Sequence, residues 1–162
     1  MNLIVGATGV LGSAIVPRIV YRNWGCHYPS HTDLDLAKWD EHRAAFLSQF
    51  TRAYLCAGTK GHAECEGNAE AFRADVDGNI RLAKHLLRQG AFVVFVSTDA
   101  VEKMAGAYAR NRMYVELALI MQPNVAIVRP GKFDASNVGP LADLCIDVGE
   151  NRKEGLHYWR AT

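Results

Sequence analysis

Glycines stand at positions 6, 9 and 12 of the opening stretch MNLIVGATGVLGSAIV, directly after a short run, NLIV, that reads as a buried strand. The chemistry this spacing suits is the binding of a pyrophosphate. A doubly charged phosphate pair must come close to main chain, and glycine removes the side chain that would block it while permitting unusual backbone angles. The start of the following helix then offers free N–H groups and a partial positive charge. The same residues also suit a plain tight turn between strand and helix, so the parts around them decide between the two.

Other residue groupings offer less. Cys26, Cys56, Cys65 and Cys145 form no CxxC pair, which suits idle thiols in a reducing compartment and not a metal or redox motif. His62, Glu64, Cys65 and Glu66 cluster in KGHAECEGNAE, but near-consecutive ligands cannot converge on one ion without a contorted loop, so no metal is expected there. Arg110 and Arg112 beside Glu116 read as a solvated helix face. Lys+Arg 18 against Asp+Glu 17 leaves a net charge of +1, giving no field for nucleic acid or an anionic membrane. No apolar run approaches the ~20 residues of a membrane span, and no signal segment precedes the first strand, so a soluble cytoplasmic protein is expected.

The elements that must position the glycine turn are given by periodicity. Strand-like runs occur at 2–5, 53–57, 91–96 and 124–128, with a weak further strand in GCHYP and a last one in GLHYW. Helical spacing joins Leu11, Ile15 and Ile19; Trp39, Phe46 and Phe50; Phe72, Val76, Ala83 and Leu87; and Val115, Ala118 and Met121. VGPLADLCIDVG reads as one more helix. Pro17 should remove a hydrogen bond from the first helix and kink it. Alternating strands and helices predict an α/β fold: a doubly wound parallel sheet, the Rossmann fold, in a single domain over 1–162.

The GxxGxxG spacing, succeeded in order by DLDLAKWD, YLCAGTKG, FRADVDGNIRLAKHL, FVSTDAV, YARNR and AIVRPGKF, resembles the extended short-chain dehydrogenases/reductases. It is most similar to dTDP-4-dehydrorhamnose reductases and the NAD-dependent epimerase/dehydratase family. The resemblance implies a strand order of 3-2-1-4-5-6, with a seventh strand from GLHYW. It places Gly6, Thr8, Gly9, Val10, Leu11 and Gly12 at a dinucleotide pyrophosphate, Asp35 and Leu36 at the adenine, and Cys56, Ala57 and Gly58 beneath the cofactor, with Arg112 and Pro130 also on the binding side. Where NAD-preferring relatives end the second strand with an acid, this chain has Ser30 and His31, with no acid before Asp33, which leans the choice between NADP and NAD toward NADP.

The resemblance also implies a catalytic set: Thr98 or Ser97 polarising the substrate oxygen, Tyr108 moving the proton, and at the lysine position Arg112. A tyrosine of pKa near ~10 needs a neighbouring cation to act near neutrality, and the i, i+4 spacing puts both groups on one helix face. Arginine keeps the charge but not the compact ammonium geometry. Asp75 stands where the family has asparagine, and ten positions separate Thr98 from Tyr108, leaving little room for a lid. Only DASNV separates RPGKF from PLADL, so the substrate subdomain of the family is largely absent. Two readings remain: an NAD(P)-dependent oxidoreductase of a carbonyl or hydroxyl group on a small or sugar-like substrate, or a non-catalytic NAD(P)-binding sensor or scaffold. A homodimer is implied in either case.

Overall fold

The computed structural model of the chain describes residues 1–39, 49–59, 62–104 and 106–161. Its centre is a six-stranded sheet, every pairing parallel, in the order β2-β1-β3-β4-β5-β6. The strands are β1 (Asn2–Val5), β2 (Cys26–His27), β3 (Arg52–Leu55), β4 (Phe92–Val96), β5 (Val125–Pro130) and β6 (Gly155–Trp159). The helices are α1 (Val10–Tyr21), α2 (His62–Cys65), α3 (Ala69–Phe72), α4 (Asn79–Arg88), α5 (Gly106–Leu119) and α6 (Val138–Glu150).

The apolar strand runs are explained by burial on both faces. Successive side chains of a strand point to opposite sides, and β1 and β4 divide accordingly. Leu3, Val5, Val93 and Phe95 join a core with Leu82, Leu86, Val115 and Leu119 of α4 and α5. Ile4, Phe92, Val94 and Val96 join a second core with Ile15, Ile19, Leu141 and Ile146 of α1 and α6. Each fully buried side chain of this size contributes about 1.5–3 kcal/mol, so the two faces lock the helices to opposite sides of one sheet. The doubly wound single-domain fold is as the alternation predicts.

Some expectations change. The GLHYW strand is the sixth and last, not a seventh, and among the described residues no strand lies outside β2. The order implied by the resemblance is otherwise kept, since leaving out its third strand and renumbering gives the observed one; past β2 the chain turns. Asp33 and Leu34 donate backbone hydrogen bonds to the Ser30 carbonyl at 3.1 and 3.0 Å, and the chain then buries Leu34, Leu36 and Trp39 against the sheet. Leu36–Lys38 form one 3-10 turn capped by Asp35. Phe50 is core as expected, whereas Phe46 lies outside the described residues.

The helix carrying ADVDGN also departs from simple periodicity. Between α3 and α4, Arg73–Gly78 form a π-helical turn, which widens the coil by one residue and rotates the helix beyond it. Phe72, just before this turn, is exposed while Val76 and Ala83 are buried. Two carbonyls at this turn, of Ala74 and Asp75, accept from the Asn79 amide at 3.1 Å each. Met121 lies beyond the end of α5 and is exposed. Helix α1 continues through Pro17, which sits on its exposed side.

Candidate functional site

In a parallel sheet, ligands bind where the strands end and the winding reverses. That edge gathers the ends of β1, β3, β4 and β5, and with them most of the residues singled out in the sequence. The three glycines are not equivalent there. Gly6 has φ +86°, and a Cβ on it would come within 2.6 Å of the Ala57 nitrogen and 2.7 Å of the Ala57 Cα. On Gly12 it would strike the Gly6 carbonyl oxygen and lie 2.7 Å from the Ala7 Cα. Both positions are closed to any side chain by backbone. Gly9, in contrast, would meet only the Gly6 oxygen, at 3.4 Å.

Gly9 is also the N-cap of α1, with no side-chain cap and no acidic residue in the first turn. The helix thus begins with uncapped N–H groups beside exposed Thr8 and Val10, an arrangement that fits an anion. Leu11, assigned to the same cradle, has its side chain in the core with Ile15 and Ile19, which leaves its backbone to serve the turn. Leu36 is likewise core: its carbonyl packs where a Cβ on Gly78 would be.

At the far end of β2, Ser30 and His31 are exposed. Asp33 folds back on Ser30, accepting from its hydroxyl at 2.6 Å and its N–H at 3.1 Å; those bonds hold the Asp33 carboxyl below the usual range. His31 and Asp35 line a cleft of about 410 Å³ with Thr59, Glu64, Asn68 and Glu70. Asp35 caps Ala37 at 3.0 Å and pairs with Lys38 at 3.4 Å.

The loop after β3 is fixed from several directions. The Cys56 N–H donates to the Val5 carbonyl at 2.9 Å, and burial against the α6-side core pushes the Cys56 thiol up to about 12, with Arg112 acting in the opposite sense. The Thr59 N–H donates to Asp75 Oδ1 at 2.8 Å, and Cys65 Sγ donates to Asp75 Oδ2 at 3.6 Å. Asp75, fully buried in the π-helical turn, thus ties that turn to the loop. Its acceptor-only carboxylate suits a backbone N–H where an asparagine would present a donor as well. Sequence spacing gave no sign of this, because a π turn keeps helical residue types.

Ser97 and Thr98 separate in role. Ser97 continues β4, donating its N–H to Val128 at 2.8 Å, and its Oγ is buried with no partner among the described residues. Thr98 is half-buried and caps the 3-10 turn Asp99–Lys103 by accepting from the Ala100 N–H at 3.3 Å. Pro130 ends β5, buried opposite Trp159.

Tyr108 and Arg112 stack along one face of α5, the guanidinium carbon 5.4 Å from the Tyr108 ring centre and 5.5 Å from that of Phe95. Arg112 is only 4% exposed, and its Nη2 donates to the Ala57 carbonyl at 3.2 Å. Glu116, one turn on, is 5% exposed. It grips Arg129 of β5 through contacts of 2.5, 3.0 and 3.2 Å, and Arg129 Nη1 donates to the Tyr158 hydroxyl of β6 at 2.9 Å. The expectation of a solvated face for Arg112 and Glu116 is overturned, since that stripe of α5 faces the sheet. Arg110 alone is exposed, 3.4 Å from Glu66, which also accepts from the Ala107 N–H at the start of α5. Glu66 therefore serves that helix start, and Cys65 serves Asp75.

Residues 2–116 match the model of the NAD dependent epimerase/dehydratase family. The chain belongs to that family. No curated protein matches its sequence. Among solved structures, the dTDP-4-dehydrorhamnose reductase of Bacillus anthracis in complex with NADP is similar at 15% identity, with a TM-score of 0.86 over 99% of this chain and 74% of that one. MoeE5 in complex with UDP-glucose and NAD is similar at 13% identity, with a TM-score of 0.75 over 99% and 75%. A short-chain dehydrogenase/reductase from Brucella ovis has 17% identity and a TM-score of 0.76 over 99% of both chains. At these identities the likenesses concern the fold. The uncapped, side-chain-free cradle at Gly6, Gly9 and Gly12 fits the dinucleotide after which the epimerase/dehydratase family is named.

Proposed function

We propose that this chain is an NAD(P)-dependent oxidoreductase of short-chain dehydrogenase type, acting on a carbonyl or hydroxyl group of a small or sugar-like substrate. The observation that carries the reading is the cradle: backbone closes Gly6 and Gly12 to side chains while the start of α1 is left without a cap. Gly6, Thr8, Gly9, Val10 and Gly12, with the Leu11 backbone, would hold the pyrophosphate, Cys56, Ala57 and Gly58 the floor, and Ser30, His31, Asp35 and Leu36 the adenosine end, with Pro130 at the β5 side. The bound dinucleotide supplies or accepts the hydride. In the reductive direction Thr98 would polarise the substrate oxygen by a hydrogen bond and Tyr108 would give it the proton, with the Arg112 guanidinium lying against the phenol ring. Ser97 is the less favoured polarising group, its hydroxyl being buried.

Charge refines the cofactor. Among the described residues, a 2′-phosphate at the adenosine end would meet Asp35, Glu64 and Glu70 with His31, Asp35 being paired with Lys38; this balance of charge supports NAD, against the lean drawn from the lack of an acid at the end of β2. Titration with NADH and NADPH decides it: tighter NADH binding supports the carboxylates as the determinant, and tighter NADPH binding that weakens in His31→Ala restores the other reading. The same family reading carries a homodimer in the cytoplasm and a domain whose substrate subdomain is largely absent; residues 131–137 alone join β5 to α6.

The burial of Arg112 favours a second reading, in which the site binds a dinucleotide without turnover as a sensor or scaffold. The test is NAD(P)H consumption with a panel of small and sugar-derived carbonyls by wild type, Tyr108→Phe and Thr98→Val. Turnover that falls about a hundredfold or more in Tyr108→Phe supports the enzyme. Firm dinucleotide binding with no Tyr108-dependent turnover supports the sensor.

A further inference from the structure

Gly58 is a glycine for a reason its own backbone does not supply. It is not among the residues with positive φ, so its conformation is open to any side chain. What excludes one is space. A Cβ on Gly58 would overlap Arg112 Nη2, lie 2.7 Å from Arg112 Cζ and 3.3 Å from Nη1, so its three nearest neighbours are all atoms of one guanidinium. That guanidinium has further neighbours: its carbon lies 5.5 and 5.4 Å from the Phe95 and Tyr108 ring centres, and the Ala57 carbonyl accepts from Nη2. Nε and Nη1 are buried without a partner among the described residues. A buried cation with so few hydrogen bonds is costly, and its position is defined by shape.

We infer that Arg112 is a positioning residue that wedges the Ala57–Gly58 backbone against the Tyr108 ring, and that Gly58 is the socket shaped to receive it. Arg112 thereby sets two things at once: the height of the loop beneath the dinucleotide and the plane of the tyrosine ring. It does so from behind both, with its own atoms out of solvent, and acts on a ligand only through them. The ligand part of this inference rests on the dinucleotide reading; the pairing of positions 58 and 112 rests on geometry alone.

The experiment is a double-mutant cycle with Gly58→Ala, Arg112→Met and the double variant, read by urea unfolding and by titration with NADH and NADPH at a temperature where all four proteins are folded by circular dichroism. Methionine keeps an unbranched stem but has no planar fork to meet a methyl group at 58. Gly58→Ala is expected to lower stability and to weaken binding of the preferred dinucleotide about tenfold. Arg112→Met is expected to weaken it to a similar degree, and the double variant to match Arg112→Met in both measurements. Additive losses in stability would overturn the socket. Non-additive stability with wild-type dissociation constants in both single variants would overturn the positioning role, since a wedge that only supports the fold leaves affinity unchanged in folded protein. Where the wild type binds neither dinucleotide, the functional reading fails and the ligand role of Arg112 fails with it, while the stability cycle still reads the pairing of 58 with 112.

Discussion

A methyl group added at Gly12 would have to displace the backbone of the turn itself, because its nearest neighbours are Gly6 and Ala7 main-chain atoms. Gly12→Ala is therefore expected to destabilise the fold by roughly 3 kcal/mol or more, seen as a lower urea midpoint; unchanged unfolding would mean the turn is looser than described. The thiols make a second residue-scale prediction. Burial raises Cys56 from 9.0 to about 12 and holds Cys145 well above the same value. The folded chain keeps protons that the unfolded chain releases, so this contribution is full below pH 9.0 and is lost as pH rises from there toward about 12. Urea unfolding between about pH 8 and about pH 10.5 should show stability falling more steeply in wild type than in Cys56→Ala/Cys145→Ala; equal slopes would refute the burial of these thiols. At this scale the sequence was partly legible. Gly6, Gly9 and Gly12 announced a close backbone approach, but not that Gly9 alone tolerates a Cβ. Arg112 read as solvated because its socket is an absence, the missing side chain of Gly58, more than fifty positions away in the chain.

At the scale of elements, α5 is fastened to the sheet by the Glu116–Arg129 pair, and through Arg129 to β6 by Tyr158. With Glu116 side chain 7% and Arg129 side chain 16% exposed, little water is present to compensate a lost partner. Glu116→Ala should cost about 3 kcal/mol of unfolding free energy in urea. Glu116→Leu/Arg129→Met should recover most of that loss; failure of both expectations would show that the pair is not what holds α5. The strands were legible because a strand covered on both faces must be apolar throughout, as in FVVFV of β4. The π-helical turn was not, since Arg73–Gly78 contains ordinary helix residues and the fully buried Asp75 within it is the side chain that departs from a solvated helix face. The Tyr108–Arg112–Glu116 stripe was readable as i, i+4 spacing, and a carboxylate continuing that stripe was the available sign that it faces inward.

Over the whole molecule, the alternation of elements determined the fold class, and the resemblance supplied the strand order apart from one outer strand that is absent among the described residues. That absence was not legible, because it depends on where the chain goes after β2, where the hydrogen bonds of the Ser30–Asp33 turn redirect it. An exposed apolar face remains on the helical side, with Tyr114, Leu117 and Met121 along and just beyond α5 and Phe72 edge-on to Tyr114 at 6.2 Å. If this face carries the proposed homodimer, sedimentation should give a dimer for wild type and a monomer for Leu117→Glu; a wild-type monomer at micromolar concentration would remove that proposal. The central claim is that the glycine turn holds a dinucleotide, and Gly9 permits a direct test because a methyl group there leaves the fold in ordinary contact while standing at the open mouth of the cradle. The measurement is calorimetric titration of NADH and NADPH into wild type and Gly9→Ala, with matched thermal melts. Saturable binding to wild type that weakens about tenfold or more in an equally stable Gly9→Ala is the expected result; no binding to wild type, or equal binding by both proteins, would contradict it.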